Sequence, residues 1–211
     1  ATARRHFAII GAGMAGVVCA RTLVQAGHQV TVFEKSSKAG GRTTTIDSPF
    51  GSFDAGAQYF TVRDPRFAQA IDTVPGVCRP WSANAVRVLD AAGRVAAAGL
   101  PTREPHWVAS PGMNALVTTW AAPLLQAGQL ITDTRVSSIE RDHLNDTHWQ
   151  VRTEGQGGAQ HVYAGFDAVL LYDTLLPSIA GGAFADEFFI KKGMGWALRE
   201  RSYRAPEEVR A

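Results

Sequence analysis

The chain has 211 residues, 45% of them hydrophobic, and a formal net charge of +2 at pH 7. That is enough apolar material for one large domain or two small ones, and the scattered basic residues argue against nucleic acid as a partner. No apolar stretch reaches the length of a membrane span, and Cys19 and Cys78 offer at most one disulfide. We therefore expect no membrane partner and a cytoplasmic setting.

The N-terminal segment predicts the start of a parallel sheet. Residues 6–10 form an apolar run typical of a buried strand, and residues 14–26 have the spacing of a helix. Gly27 is suited to end that helix, and residues 29–33 predict the second strand. These elements together predict a βαβ unit.

Gly11 and Gly13 lie between the first strand and the helix, and Gly16 lies in the first turn of the helix, where it lets the helix pack close to the strand. Such a turn lets backbone N–H groups and the positive end of the helix dipole approach a pyrophosphate. Glu34 follows the second strand, where a carboxylate accepts hydrogen bonds from the ribose hydroxyls of an adenosine. The combination predicts a dinucleotide site.

The rest of the chain predicts shorter elements. In order they are a strand at 43–46, an extended segment at 51–61, a short helix at 65–73, a hairpin with strands near 85–90 and 94–98, a helix at 114–125, and strands at 129–132, 135–141, 149–153, 161–163 and 166–171. The longer helix is expected to end or kink at Pro123, because proline has no N–H and clashes with the preceding turn.

Several motifs in a fixed order resemble a known family. Residues 9–16, 32–35 and 40–42 resemble the N-terminus of the FAD-dependent amine-oxidase-like flavoproteins, and residues 53–61 and 111–116 narrow the resemblance to their bacterial renalase-like branch. The resemblance covers roughly residues 6–171. It implies an α/β fold with a Rossmann-like FAD-binding domain of the GR2 type and a β-rich, incomplete substrate domain.

The resemblance also implies domain bounds and a missing part. The FAD-binding domain is expected to be discontinuous, at 1–72 and 108–172, with substrate-domain portions at 73–107 and 173–211. Family members finish with a Gly-Asp segment and a helix that reach the flavin and the pyrophosphate, and that ending is not recognisable after Leu171. We therefore expect a chain that is truncated, rearranged or lacking internal stretches.

The segment after Glu34 favours FAD over NAD. A plain NAD dehydrogenase continues into another helix there, whereas this chain has Gly40, Gly41 and Arg42. Exposed amides and a fixed guanidinium suit the second half of a long dinucleotide. The alternative is a flexible turn followed by a surface arginine.

The resemblance assigns the site residues one by one. Gly56 and Ala57 would lie beside the flavin ring, and Gln58 and Tyr59 would be near flavin and substrate, with no general base expected. The main chain of Val136 would contact the adenine. The full set of implied cofactor residues is Gly11, Gly13, Met14, Ala15, Gly16, Glu34, Lys35, Gly41, Arg42, Gly56, Ala57, Gln58, Tyr59 and Val136.

Each of the less specific residues also has a structural interpretation. Tyr59 and Phe60 are as readily core aromatics as pocket walls. Met113 could contact the flavin, but a methionine at the start of a helix is more often gap-filling core. The six histidines do not have the spacing of metal ligands, so no metal is expected. The sequence also contains no hydrolase motif.

Three functions remain in view. The first is an oxidoreductase that takes a hydride from a small reduced substrate, an aberrant reduced nicotinamide dinucleotide among the candidates, and passes electrons to dioxygen. The second is a dinucleotide-binding protein without turnover, suggested by the missing ending. The third is an amine-oxidase or desaturase type of flavoenzyme, with Trp81, Trp107 and Trp196 either lining a pocket or packed in the core. The oligomeric state stays open.

Overall fold

The computed structural model describes residues 3–81, 87–98 and 105–171. The chain divides into two compact units, one from residues 1–41 with 120–211 and the other from residues 42–119. The domain bounds expected from the resemblance stay a prediction. The substrate-domain portion assigned to residues 173–211, with Trp196, lies outside the described residues.

The described residues form fourteen strands and three α-helices. The strands are β1 (His6–Ile10), β2 (Gln29–Phe33), β3 (Thr45–Ser48), β4 (Gly51–Asp54), β5 (Phe60–Thr61), β6 (Cys78–Pro80), β7 (Arg87–Leu89), β8 (Val95–Ala98), β9 (His106–Ala109), β10 (Leu130–Ile131), β11 (Arg135–Arg141), β12 (Trp149–Glu154), β13 (Gln160–Phe166) and β14 (Ala168–Leu171). The α-helices are α1 (Met14–Gln25), α2 (Pro65–Asp72) and α3 (Ala115–Gln126). Within the described ranges, no helix combines the length and apolarity needed to cross a bilayer.

A parallel sheet forms the centre of the first unit. Its strand order is β10-β2-β1-β14, and each neighbouring pair is parallel. β1 and β2 are the two inner strands of this sheet, and in β1 Ala8 and Ile9 have no exposed surface. Helix α1 ends at Gln25, one residue before the predicted end, and Gly27 follows at a φ of +85°. The predicted βαβ unit is confirmed.

Helix α3 continues past its proline. It runs to Gln126 with Pro123 inside it, so the prediction that the helical pattern ends there is wrong. Proline removes one main-chain hydrogen bond, but Pro123 lies in the last turn, and its own carbonyl still accepts from the N–H of Ala127 at 3.0 Å. Trp120 and Leu124 are 2% and 3% exposed, so burial of the apolar face offsets the lost bond.

An antiparallel sheet of β11, β12 and β13 completes the first unit. Phe166 was predicted to begin the last strand, but it ends β13, and Asp167 separates it from β14. Asp167 closes this corner because its carboxylate accepts from the N–H of His6 at 2.7 Å and its own N–H donates to the His6 carbonyl at 2.8 Å. One apolar core joins the two sheets, formed by Ala8, Ile10, Phe33, Val136, Val151 and Phe166.

His6 makes the stability of the first unit depend on pH. Its Nε2 lies 2.9 Å from Thr31 Oγ1, and its ring centroid lies 4.6 Å from that of Phe166. Burial lowers the pKa of His6 below its ordinary value of 6.5, and Arg4 lowers it further while Asp167 opposes the shift. The unfolded chain therefore binds the proton more readily, so this contribution to stability is present above the unfolded pKa and is lost as the pH falls through the folded one.

We expect His6→Gln, which keeps a hydrogen-bonding group but does not titrate, to flatten the fall in melting temperature between about pH 7.5 and 5.5. Thermal denaturation followed by circular dichroism across this range measures the effect. His143 is exposed, so His143→Gln serves as the control. Equal slopes for the wild type and His6→Gln would contradict the prediction.

The second unit contains three small antiparallel sheets. They are the hairpin β3-β4, the sheet β5-β9-β6 and the hairpin β7-β8. The predicted strand at 43–46 begins later, at Thr45, because Gly41–Thr43 forms a turn of 3₁₀ helix. The predicted short helix and the predicted hairpin around residues 90–93 are confirmed.

Candidate functional site

The glycine turn after β1 is held by main-chain contacts. Gly11 has a φ of +99°, and its N–H donates to the Phe33 carbonyl at 2.8 Å. A Cβ on Gly16 would lie 1.9 Å from the Gly11 carbonyl oxygen, so only glycine lets α1 pack this close to the turn. The turn and the first helical turn thus form one rigid piece of backbone.

The N-terminus of α1 carries no side-chain cap. Gly13 occupies the N-cap position and makes no side-chain hydrogen bond, and the first turn contains no acidic residue. The first N–H groups of a helix have no partner within the helix itself. Met14 is half-buried and Ala15 is exposed. Both side chains are apolar, so neither one can take the place of an anion as the partner of these N–H groups.

A second glycine segment lies against this turn. The N–H of Gly40 donates to the Ala12 carbonyl at 3.0 Å, and Gly40 forms a parallel bridge with Gly13. Gly41 has a φ of +56°, and a Cβ there would lie 3.1 Å from the Gly13 Cα. The pair is therefore packed backbone, which differs from the flexible turn considered as the alternative.

Glu34 reaches the same turn from the end of β2. Its residue is 6% exposed, Oε2 accepts from the N–H of Ala12 at 2.7 Å, and Oε1 accepts from the N–H of Ser36 at 2.9 Å. Each carboxylate oxygen can accept more than one hydrogen bond, so both keep acceptor capacity. Lys35, the next residue, is exposed.

The main chain also ties Glu34 to the loop between β10 and β11. The Glu34 carbonyl accepts from the N–H of Thr134 at 2.9 Å, and the Ser36 carbonyl accepts from the N–H of Asp133 at 3.1 Å. Val136 follows at the start of β11, with its side chain 4% exposed in the core. The side chain of Val136 is therefore not accessible to a ligand.

The geometry of this first group fits a dinucleotide. Two glycine segments leave a surface without side chains, the helix N-terminus has no cap, and a buried carboxylate stands at the rim. A Cβ at Gly41 would project into the space that separates the two segments. Main-chain N–H groups for phosphate and a carboxylate for ribose are the donor and acceptor set that such a ligand needs.

The predicted ring-side residues form a second group within the second unit. The N–H of Ala57 donates to the Arg42 carbonyl at 2.8 Å, and the N–H of Ala55 donates to the Thr44 carbonyl at 3.0 Å. A Cβ on Gly56 would lie 2.0 Å from the Arg42 carbonyl oxygen. Glycine at position 56 is therefore required by the chain's own packing, and Gln58 follows with an exposed side chain.

Tyr59 belongs to an aromatic cluster, defined here as Tyr59, Trp81 and His106. The Tyr59 ring stacks on His106 with centroids 3.9 Å apart and on Trp81 at 5.8 Å. Tyr59 and Trp81 are 38% and 37% exposed. Phe60, by contrast, packs edge-on against Phe67 at 5.7 Å, which agrees with its interpretation as a core aromatic.

Asp54 is a residue whose role the sequence did not predict. Its Oδ1 accepts from Thr45 Oγ1 at 2.7 Å and from the N–H of Met113 at 2.8 Å, while Thr45 Oγ1 accepts from the N–H of Asn114 at 3.3 Å. Gly112 lies against Thr45, since a Cβ on it would be 2.5 Å from Thr45 Oγ1. An acidic residue directly before the segment Ala55-Gly56-Ala57 was the available signal.

We expect Asp54→Ala to lower the free energy of unfolding by about 1–3 kcal/mol, because the N–H of buried Met113 would lose its acceptor. Urea denaturation followed by circular dichroism measures the change. Asp72→Asn, at the exposed end of α2, is the matched control and should change stability by less than about 0.5 kcal/mol. Equal stabilities for the two variants would contradict this role of Asp54.

The described residues contain no group of three or more His, Cys, Asp or Glu side chains placed to hold a metal ion. Burial raises the pKa of the Cys78 thiol, which disfavours its thiolate.

Comparison with protein families identifies the fold. A model described as an NAD(P)-binding Rossmann-like domain matches residues 9–74. The N-terminal part of the chain is a Rossmann-like domain. A second model, described as a DNA alkylation repair enzyme, matches residues 162–211, of which the structure describes those up to 171.

The similar curated proteins are oxidases of amino acids. YobN of Bacillus subtilis (strain 168), a protein named as an L-amino-acid oxidase, is 49% identical over 55 residues, which cover 25% of this chain and 12% of that protein. L-amino acid oxidase Lm29 of Lachesis muta is 56% identical over 41 residues, 19% of this chain and 8% of its own length. The chain thus matches only a small part of these relatives.

Among solved structures, wild-type putrescine oxidase bound to putrescine resembles the chain with a TM-score of 0.57 at 14% identity, over 80% of this chain and 58% of that one. At this identity the likeness concerns the fold alone. The matched proteins carry the names of oxidases, and a Rossmann-like domain is compatible with FAD, the predicted cofactor. The matches support a resemblance to amine-oxidase-like flavoproteins.

The predicted site residues thus lie in two groups. The first unit brings together the main chain of the glycine turn, the helix N-terminus, the second glycine pair and the Glu34 carboxylate. The second unit brings Arg42 beside the 55–57 segment and places Tyr59 in the aromatic cluster.

Proposed function

We propose that this chain is the cofactor-binding part of an FAD-dependent oxidoreductase of the amine-oxidase-like group. The observation that carries the proposal is the buried Glu34 carboxylate, held by the N–H of Ala12 at the rim of a turn walled by glycine. A carboxylate fixed there is suited to a ribose, and the uncapped helix beside it is suited to a pyrophosphate.

In this proposal the first unit binds the adenosine half of FAD. The N–H groups of residues 13–16 face the pyrophosphate, Glu34 accepts from the ribose hydroxyls, and the main chain of Val136 contacts the adenine. Lys35 supports this end with its positive charge. Because glycines form the two segments, no side chain from them occupies the space that is proposed for the phosphates.

For the flavin half of FAD the proposal follows the resemblance alone. Gly41 and Arg42 donate to phosphate or flavin oxygens, and Gly56 and Ala57 run beside the flavin ring. Gln58 and Tyr59 lie nearest the flavin and the substrate. When bound, FAD supplies the capacity to accept a hydride and to pass electrons to dioxygen, so the residues of the chain bind, orient and exclude water.

The substrate is proposed as a small hydride donor. The renalase-like motifs favour an aberrant reduced nicotinamide dinucleotide, and the similarity to L-amino-acid oxidases makes an amino acid the second candidate. Neither substrate requires a protein base in the first unit. A binding protein without turnover is the remaining alternative.

Two measurements test the proposal. The purified 211-residue chain, incubated with FAD and desalted, is expected to retain flavin absorbance, and a colourless protein would reject FAD binding. Anaerobic mixing with reduced nicotinamides and, separately, with L-amino acids is then expected to bleach the bound flavin with one of the two. Retained colour with both would support the binding protein.

A further inference from the structure

Asp54 joins two parts of the second unit that lie far apart in the sequence. Its Oδ1 accepts hydrogen bonds from Thr45 Oγ1 at 2.7 Å and from the N–H of Met113 at 2.8 Å. Because the Thr45 hydroxyl donates its proton to Asp54, its lone pairs can accept, and they accept from the N–H of Asn114 at 3.3 Å. The hairpin β3-β4 thus holds two successive N–H groups directly before α3.

The main chain that Asp54 holds is buried and closely packed. Met113 is 2% exposed, and a Cβ on Gly112 would lie 2.5 Å from Thr45 Oγ1. On the opposite face of the hairpin, Ile46 and Phe53 pair across the strands, and both are more than half exposed. The polar face of the hairpin is therefore the face that attaches β4 to this buried segment.

The segment 55–57 continues directly from Asp54. The N–H of Ala55 donates to the Thr44 carbonyl at 3.0 Å, and the N–H of Ala57 donates to the Arg42 carbonyl at 2.8 Å. Alanine and glycine carry no polar side chain, so the segment cannot fix itself through side-chain hydrogen bonds. Asp54 is the adjoining residue whose side chain ties the start of the segment to a second part of the unit.

We propose that Asp54 is a positioning residue that sets where the main chain of Gly56 and Ala57 passes the flavin ring. The inference rests on the proposed function, which places these two residues beside the ring. A carboxylate oxygen and an amide oxygen can each accept two hydrogen bonds, so the role depends on an acceptor atom at this place and not on the negative charge. Asp54 itself does not need to touch the cofactor.

Amide hydrogen exchange of the chain without FAD, followed by NMR, tests the hold on the segment. We expect the N–H groups of Ala55 and Ala57 to exchange at least about tenfold faster in Asp54→Ala than in the wild type, because the segment opens more readily. Asp54→Asn keeps an acceptor oxygen and should stay within about threefold of the wild type. The N–H of Ser110, which donates to the Val77 carbonyl at 2.8 Å in the same unit, is the reference for general destabilisation.

Visible circular dichroism of bound flavin tests the connection with the cofactor, because this signal reports the asymmetric surroundings of the ring. Each variant is incubated with FAD and desalted before the measurement. Asp54→Ala is expected to lose about half or more of the signal per bound flavin, and Asp54→Asn to keep it. Ile71→Val shortens a buried side chain of α2, destabilises the same unit elsewhere and should keep the signal as well.

The outcomes separate this inference from the proposed function. A wild-type chain that retains no flavin would reject the proposed function and, with it, the position beside the ring. If the chain retains flavin, equal exchange at Ala57 in the wild type and in Asp54→Ala would overturn the inference alone. An unchanged flavin signal in Asp54→Ala, or a loss of the same size in Asp54→Asn or Ile71→Val, would also overturn it.

Discussion

Gly16→Ala is expected to destabilise the first unit by about 3 kcal/mol or more. The added Cβ would lie 1.9 Å from the Gly11 carbonyl oxygen, a main-chain atom that has no rotamer to change. Relief would require moving α1 away from the sheet or breaking the bond from the Gly11 N–H to the Phe33 carbonyl. Urea denaturation of the chain without cofactor measures the loss.

Gly13→Ala is the matched control for this clash. A Cβ on Gly13 finds its nearest neighbour, the Gly41 Cα, at 3.7 Å, and its φ of −75° suits any residue. Its cost should stay within about 1 kcal/mol, the scale of a change at a helix cap. If the two alanine variants unfold at the same urea concentration, the close packing of α1 on the turn does not limit stability.

Glu34→Gln is expected to weaken FAD binding by about 1–3 kcal/mol, or about 5- to 150-fold in the dissociation constant. The amide keeps the shape of the side chain but replaces one acceptor oxygen with a donor. Either the N–H of Ala12 or that of Ser36 then faces another N–H, and a ribose hydroxyl loses a charged acceptor. Titration of the chain with FAD, followed by flavin fluorescence, measures the constant.

Two controls separate the loss of binding from a loss of folding. Glu154→Gln removes an exposed carboxylate at the end of β12 and should leave the dissociation constant unchanged. Urea denaturation of Glu34→Gln without FAD reports how much of the effect comes from the two main-chain bonds. An unchanged dissociation constant for Glu34→Gln would mean that this carboxylate does not hold the ribose.

The first unit was largely predictable because its signals are local. Buried strands of a parallel sheet are rich in apolar residues, and the strands predicted at 6–10 and 29–33 have the same bounds in the structure. The glycine spacing and Glu34 marked the same turn. The pattern did not predict that Glu34 accepts two main-chain hydrogen bonds. Those bonds depend on where the N–H groups of Ala12 and Ser36 lie in the folded chain.

The errors arose where tertiary contacts outweighed local preference. The helix was expected to end or kink at Pro123, but it continues to Gln126, and the buried side chains of Trp120 and Leu124 stabilise its last turns. Phe166 was assigned to the strand after Asp167 rather than to the one before it, because apolar content does not show where a main-chain corner forms. The role of Asp54 depends on Met113, and no local pattern links residues so distant in the chain.

The position of β14 has a consequence for how the protein is made. β14 pairs with β1 in register from Phe7 with Ala168 to Ile10 with Leu171. One edge of β1 therefore has no β14 partner until nearly all of the described residues have been synthesised. Until the ribosome has delivered them, β1 presents a bare hydrogen-bonding edge beside fully apolar side chains. An unpaired strand edge can pair with the same edge of another nascent chain, so any product that stops before residue 168 should aggregate more readily than the 211-residue chain.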